Sequence, residues 1–263
     1  MKKGSLIVLL LASLNLFFLP GCKKEYNDPP GTHTPKEWLL KEWRQSSPKR
    51  PESAYFFYYN KKNAVDSIRL SLGSNFTFTY HVSRKDNGEI DTVTAIENSI
   101  AISNYVYIIA NNYKYDKNGL ITHYDYHAYD HFGNHFLQLV DIAYKGDQMK
   151  IKYNTIVHEF TFNKREDVVY MKNNTDRPFN GTFNYDNGIN PLFYVRDLYA
   201  IVLDLSPYYY EYMLPKHNAV NRTNVDGYSV DFTNTYDNRG RIVNKDFTDT
   251  RFFGPQSFYY SYY

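Results

Sequence analysis

Along most of the chain, apolar and polar residues alternate with the period of two that a half-buried strand requires. Phe76-Thr77-Phe78-Thr79-Tyr80 and Ile151-Lys152-Tyr153 show the pattern in its shortest form. These segments are separated by turn chemistry. Asp86-Asn87-Gly88, Asp116-Lys117-Asn118-Gly119, Lys145-Gly146-Asp147 and Asp237-Asn238-Arg239-Gly240 each offer a glycine for a positive φ beside an Asp or Asn that tolerates one. The pattern therefore predicts hairpins joined in series. Two stretches depart from it. Thr34-Pro35-Lys36-Glu37 reads as a capping box with proline in the first turn, ahead of Trp38, Leu39, Leu40 and Trp43. It predicts a short helix from Pro35 to about Arg44 docked on the sheet. Asn190-Pro191 precedes Leu192, Val195, Leu198, Tyr199 and Val202 at near-helical spacing, which predicts a second helix.

The expected fold is mostly β: an antiparallel meander of hairpins curling into an open or closed barrel-like sheet, with one or two short helices. Residues 1–21 read as a leader and 22–33 as a tether. Residues 34–51 read as a short helix and loop, and 52–263 as a single β domain with a helical excursion near 190–215. One phrase repeats: Tyr115-Asp116-Lys117-Asn118-Gly119-Leu120-Ile121 and Tyr236-Asp237-Asn238-Arg239-Gly240-Arg241-Ile242, with a shorter copy at Tyr185-Asp186-Asn187-Gly188-Ile189. On these residues the chain resembles the YD-type hairpin repeats. It resembles more closely the Bacteroidetes envelope lipoproteins of unknown function whose β domain is described as porin-like. The resemblance runs from Tyr55 to the C-terminus and implies the barrel-like meander. It also implies a helical excursion between Tyr185-Asp186-Asn187-Gly188-Ile189-Asn190-Pro191 and Lys216-His217-Asn218-Ala219, and it carries no catalytic residue.

The start of the chain sets the compartment. Met1-Lys2-Lys3 is basic, and the apolar run Leu6 to Leu19 is too short to span a bilayer comfortably, which is the form of an export signal. It ends in Leu19-Pro20-Gly21-Cys22, which resembles a bacterial lipobox. That resemblance implies cleavage before Cys22 and a lipid on its thiol. Cys22 is the only cysteine among 263 residues, and a lipidated thiol needs no disulfide partner outside the reducing cytoplasm. The polar tether Lys23 to Pro30, KKEYNDPP, suits a solvated spacer. The expected location is the outer membrane, lipid-anchored on its periplasmic or cell-surface face. Glu25 and Asp28 bear a weak resemblance to the acidic surface-export signal of such lipoproteins.

Charge narrows the partners. With 30 Lys plus Arg against 28 Asp plus Glu, no broad basic field exists to attract nucleic acid. The expected partners are the membrane, through the lipid, and a polysaccharide or envelope protein.

Candidate chemistry concentrates in HYDYHAYDHFGNHF, His123 to Phe136. On a strand from Leu120 to Tyr129, the period of two puts Ile121, His123, Asp125, His127 and Tyr129 on one face and Leu120, Thr122, Tyr124, Tyr126 and Ala128 on the other. Two imidazoles and a carboxylate make His123, Asp125 and His127 a candidate site for a divalent transition metal, although no cofactor is required by the rest of the sequence. The simpler reading is a wet polar face opposite a tyrosine-rich core face. His131 falls in a turn and His135 begins the returning strand.

The chain has no nucleophile elbow, phosphate loop or dinucleotide fingerprint. His158-Glu159 lacks the helical zinc-protease frame, and the adjacent acids Glu166-Asp167 would point to opposite faces of a strand. A non-catalytic role is therefore expected, with a metal-dependent enzyme on the histidine face as the alternative. Aromatic residues form 18% of the chain, with 28 Tyr and 18 Phe. Tyr208, Tyr209, Tyr210 and Tyr212 are a candidate glycan-stacking platform, as is the run Phe258-Tyr259-Tyr260-Ser261-Tyr262-Tyr263. A membrane-inserted or structural barrel is the third reading, opposed by the charged and amide residues that interrupt most strands. Asp66-Ser67-Ile68 and Asp91-Thr92-Val93 resemble a short bacterial O-glycosylation signal.

Overall fold

The computed structural model describes residues 38–48, 50–73, 76–99, 105–130, 132–174, 179–195, 198–201, 210–251 and 254–263. The expected leader, Cys22, the tether and the capping box at 34–37 lie outside the described residues. The strands are β1 Leu40–Ser47, β2 Arg50–Tyr59, β3 Val65–Leu72, β4 Phe76–Arg84, β5 Ile90–Ser99, β6 Tyr105–Tyr115, β7 Ile121–Tyr129 and β8 His135–Lys145. They continue as β9 Gln148–Tyr153, β10 Ile156–Phe162, β11 Val168–Asn173, β12 Asn180–Ile189, β13 His217–Asn224, β14 Ser229–Tyr236, β15 Ile242–Asp249 and β16 Gly254–Tyr262. Each pairs antiparallel with the next, and β16 closes on β1 with Trp43 opposite Tyr260, so the sheet is a closed sixteen-stranded barrel. The mostly β, antiparallel fold expected from the sequence is observed, with the barrel closed rather than open.

The helix expected from Pro35 to Arg44 is not what its described part forms: Leu40–Ser47 is strand β1. The register of β1 against β16 shifts between Leu40 and Glu42. This bulge turns both Leu40 and Trp43 into the core, three residues apart, which is the spacing that imitates a helix.

One tight turn recurs. At Asn60, Asp116, Asp130, Asn163 and Asp237, the side-chain oxygen accepts from the backbone N–H groups two and four residues on. The residue three positions on has positive φ: Asn63, Gly119, Gly133, Glu166 and Gly240. The Asp or Asn side chain thus replaces backbone partners that a tight turn leaves unpaired.

Two tyrosines of the repeated phrase, Tyr115 and Tyr185, have a task of their own, shared with three other tyrosines, whereas Tyr236 bonds the Asp186 carboxylate. From an even strand, the hydroxyl donates to the carbonyl at the start of the preceding odd strand. The pairs are Tyr59 to Leu40 (2.9 Å), Tyr115 to Ile90 (3.2 Å), Tyr144 to Ile121 (3.2 Å), Tyr185 to Val168 (2.6 Å) and Tyr262 to Ile242 (2.8 Å). In β4 the Nε of Arg84 takes the same place, reaching the Val65 carbonyl at 3.4 Å. These bonds form a collar that pins alternate strand pairs at one end of the barrel.

Because all neighbours are antiparallel, odd strands run away from the end where β1 begins, the near end. The turn at 130–134 follows an odd strand and so lies at the far end. Inward positions are apolar and aromatic, as Tyr80 and Val82 in β4, Tyr124 and Tyr126 in β7, and Phe232 in β14. Outward positions are polar, as Thr77, Thr79, His81 and Ser83 in β4, and Thr182 and Asn184 in β12.

The described parts of the excursion between β12 and β13 are a 3-10 turn, Pro191–Val195, and two single helical turns, Leu198–Ile201 and Tyr210–Met213. These parts lie in the lumen. Their residues touch inward side chains from opposite walls: Ala200 accepts from the Tyr113 hydroxyl of β6, and Tyr199 pairs with Tyr144 of β8. Tyr210 lies edge-on to His158 of β10, and Tyr212 packs on Phe232, Phe247 and Phe258. A sixteen-stranded barrel would otherwise leave an aqueous channel.

Candidate functional site

The turn from Asp130 to Asn134 fixes the register of β7 against β8. Gly133 N–H donates to the Asp130 carbonyl, Asn134 bonds the Asp130 carboxylate at 2.6 Å, and Gly133 takes φ 81°. Tyr129 then stands opposite His135, His127 opposite Leu137, Asp125 opposite Leu139, and His123 opposite Asp141. The outer wall of this hairpin carries all eight of these side chains. Ile121 departs from the expected face and is buried, at a register shift between β6 and β7.

The structure brings His123 and Asp125 together but directs His127 elsewhere. His123 Nε2 meets Asp125 at 3.0 Å and its Nδ1 meets Asp141 at 2.8 Å, so both ring nitrogens are engaged. Asp125 also accepts from Asn112 at 3.0 Å. Hydrogen bonds from Asn112 and His123 help hold its carboxyl below the usual carboxylate range, against a desolvation that works the other way. His127 Nδ1 lies 2.8 Å from His135 Nε2, with the two rings within 10° of parallel, and Tyr129 also stacks on His135. Among the described residues, no group of three or more His, Cys, Asp or Glu is arranged around a metal position.

The same hairpin exposes large apolar side chains. Phe132 at its tip is 91% exposed, and Leu137 and Leu139 on its outer wall are about half exposed. Phe136 is exposed at the far mouth. Elsewhere the wall shows polar pairs such as Lys150 with Glu159 across β9 and β10.

The tyrosine platform takes a different position from the expected one. Tyr210 and Tyr212 are buried in the lumen, and Tyr208 and Tyr209 lie outside the described residues. Tyr260 is likewise buried. Burial raises the Tyr124 and Tyr210 phenols well above their ordinary value, and pushes Tyr153 up to about 12.

The lumen also holds a histidine that the sequence did not single out as buried. His158 is fully enclosed, bonded through Nε2 to the Tyr153 hydroxyl at 3.1 Å, with Nδ1 unpartnered. Desolvation pulls its pKa down from 6.5 to about 4. An unfolded chain therefore takes up this proton first as pH falls. The neutral ring supports the fold fully above pH 6.5, and about 3 kcal/mol is lost as pH falls from there to 4. Urea denaturation at pH 7.5 and 4.5 checks this, and His158→Phe is expected to remove that part of the acid sensitivity.

A second group missed by sequence reasoning fastens the excursion at the near end. Asp167, wholly buried, receives the backbone N–H of His217 and faces its Nδ1 at 2.8 and 3.0 Å. Glu166 holds Lys216 at 2.9 Å. The adjacent acids thus reach two consecutive residues where the excursion rejoins the wall. Asn190 closes the other side, donating to the carbonyls of Tyr212 and Pro215. Only the pairing of positions 50 residues apart reveals this latch.

No protein-family model and no curated protein matches the chain. A porin-like protein from Bacteroides uniformis superposes with a TM-score of 0.51 over 84% of this chain and 97% of its own, at 12% identity. The two share a fold. A porin-like protein from Bacteroides vulgatus aligns over 85% of this chain and 98% of its own, at TM-score 0.49 and 12% identity. The likeness is to the barrel. Here, the polar outer wall and aromatic interior reverse the arrangement of a bilayer-spanning barrel, whose apolar band faces outward.

Proposed function

We propose that this chain is a non-catalytic cell-envelope barrel, lipid-anchored to the outer membrane through Cys22, that presents its β7–β8 hairpin to a partner protein. One observation carries the reading: a single hairpin exposes Phe132 at its tip and Leu137 and Leu139 on its outer wall, and Phe132, 91% exposed, is the most exposed large apolar side chain among the described residues. Clustered apolar surface of this kind marks interaction sites in water-soluble proteins. The topology supports it. β1, the first described strand, begins at the near end, and the hairpin tip lies at the far end. A lumen filled by the excursion supports holding and docking rather than conduction. The outer wall supports a barrel that stands in water beside the membrane.

The partner class is protein rather than polysaccharide, because two of the four tyrosines proposed to stack on sugar are enclosed. No catalytic group is required, and no cofactor serves this role. Photo-crosslinking in living cells tests the reading. A photoreactive residue at Leu139 is expected to give a discrete protein adduct, and one at the outward polar Thr79 is expected to give none. Absence of an adduct at Leu139, Leu137 and Phe132 overturns the docking reading, and retention on a polysaccharide gel in its place favours the glycan class. Lipidation is read separately, as loss of fatty-acid labelling in Cys22→Ala.

A further inference from the structure

We propose that His127 and His135 form a two-histidine chelate for a tetragonal divalent transition metal, Cu(II) or Ni(II), on the outer wall of the barrel. The ligand pair differs from the one that strand periodicity selects, because it crosses between strands. His127 and His135 are diagonal neighbours: His127 stands opposite Leu137, and His135 opposite Tyr129. Long side chains reach one another across such a diagonal.

The geometry carries the inference. His127 Nδ1 and His135 Nε2 stand 2.8 Å apart in a solvent-exposed hydrogen bond, which a bound cation would replace, and the rings lie within 10° of parallel. Ligands about 2.0 Å from a metal and at right angles to each other stand about 2.8 Å apart, whereas a tetrahedral pair stands about 3.3 Å apart. The observed separation fits adjacent corners of a tetragonal site. Both imidazoles can ligate while neutral, each keeping its proton on the nitrogen remote from the metal. The remaining positions are open to water.

The surroundings fix the pair and favour a cation. Tyr129 stacks on His135 at 5.0 Å, and the Asp130 turn sets the register that brings the strands together. The Asp125 carboxylate interacts electrostatically with His127. His123 has no part in the chelate, since its two nitrogens meet Asp125 and Asp141 rather than either imidazole of the pair. The inference is independent of partner docking, although both use one hairpin.

The test is titration of the full chain with Cu(II) chloride in a non-coordinating buffer, read by calorimetry and by electron paramagnetic resonance. One tight site with two coupled imidazole nitrogens is expected. His127→Ala and His135→Ala are each expected to weaken that site about a hundredfold, as loss of one of two linked contacts does. His123→Ala is expected to leave it unchanged. All three positions face outward, and an unchanged melting temperature in apo buffer verifies folding. A site that survives His135→Ala, one that is lost in His123→Ala, or no site at all overturns the proposal.

Discussion

Arg222→Met is expected to cost about 3–5 kcal/mol, because it strands a buried carboxylate. Arg222 on β13 and Asp249 on β15 both face inward near the far end, 6% and 1% exposed, and form a direct ion pair. Tyr228 adds its hydroxyl to Asp249 at 2.9 Å, and the Arg251 N–H donates to the same oxygen at 3.1 Å. Methionine preserves most of the side-chain volume, so the loss reads the charge rather than a cavity. Two neutral donors cannot replace a guanidinium beside a carboxylate shut away from water.

The paired substitution separates this explanation from simple loss of packing. Arg222→Met with Asp249→Leu removes both charges, and a buried pair exchanged for apolar groups is often neutral or stabilising. The double variant is therefore expected to recover most of what Arg222→Met loses. Thermal denaturation of the four proteins completes the cycle, with a drop of roughly 10 °C for the single variant. A double variant as unstable as Arg222→Met would show that the ion pair is not the cause.

Which parts of this structure could be read in the sequence follows from the range of the interactions. The hairpin series was legible because its causes are local. Asp116 and Asp237 satisfy backbone donors two and four residues on, and the glycines after them supply the positive φ. Asn163 to Glu166 makes the same turn without glycine and carried no signal, since a glutamate at positive φ is uncommon. The collar explains why tyrosine precedes the aspartate in the repeated phrase at Tyr115. Its hydroxyl bonds a residue 25 positions earlier, a partner that no local pattern displays.

The face assignment around the histidines was also legible. Tyr124 and Tyr126 point inward, and His123, Asp125 and His127 point outward, as alternation requires. What the alternation could not supply was the cross-strand partner. Asp141 and His135 reach the site only through the register set by the Asp130 turn, and they determine which nitrogens are engaged. The excursion was placed near 190–215, yet its position inside the barrel depends on a lumen width that follows from strand number. Closure is the least local feature of all, since β1 meets β16 across almost the whole described chain.

That seam is where the second large effect is expected. Trp43→Ala should cost about 3–5 kcal/mol, the range for deleting a large buried aromatic side chain. Trp43 is fully buried on β1, stacked on Tyr55 of β2 at 4.9 Å and edge-on to Phe258 of β16 at 5.6 Å. It therefore joins three strands, one on each side of the closure and its own between them. Phe258 in turn packs on Tyr212 of the lumen excursion, so the void left by alanine adjoins the plug as well as the wall. Trp43→Phe retains a ring for both neighbours and is expected to lose well under half as much. Amide exchange distinguishes a local from a global loss. If Trp43 holds the seam, β1 and β16 exchange faster in Trp43→Ala while β8 and β9, across the barrel from it, keep their relative protection. Uniform acceleration across all strands would mean that closure and the rest of the barrel unfold as one unit.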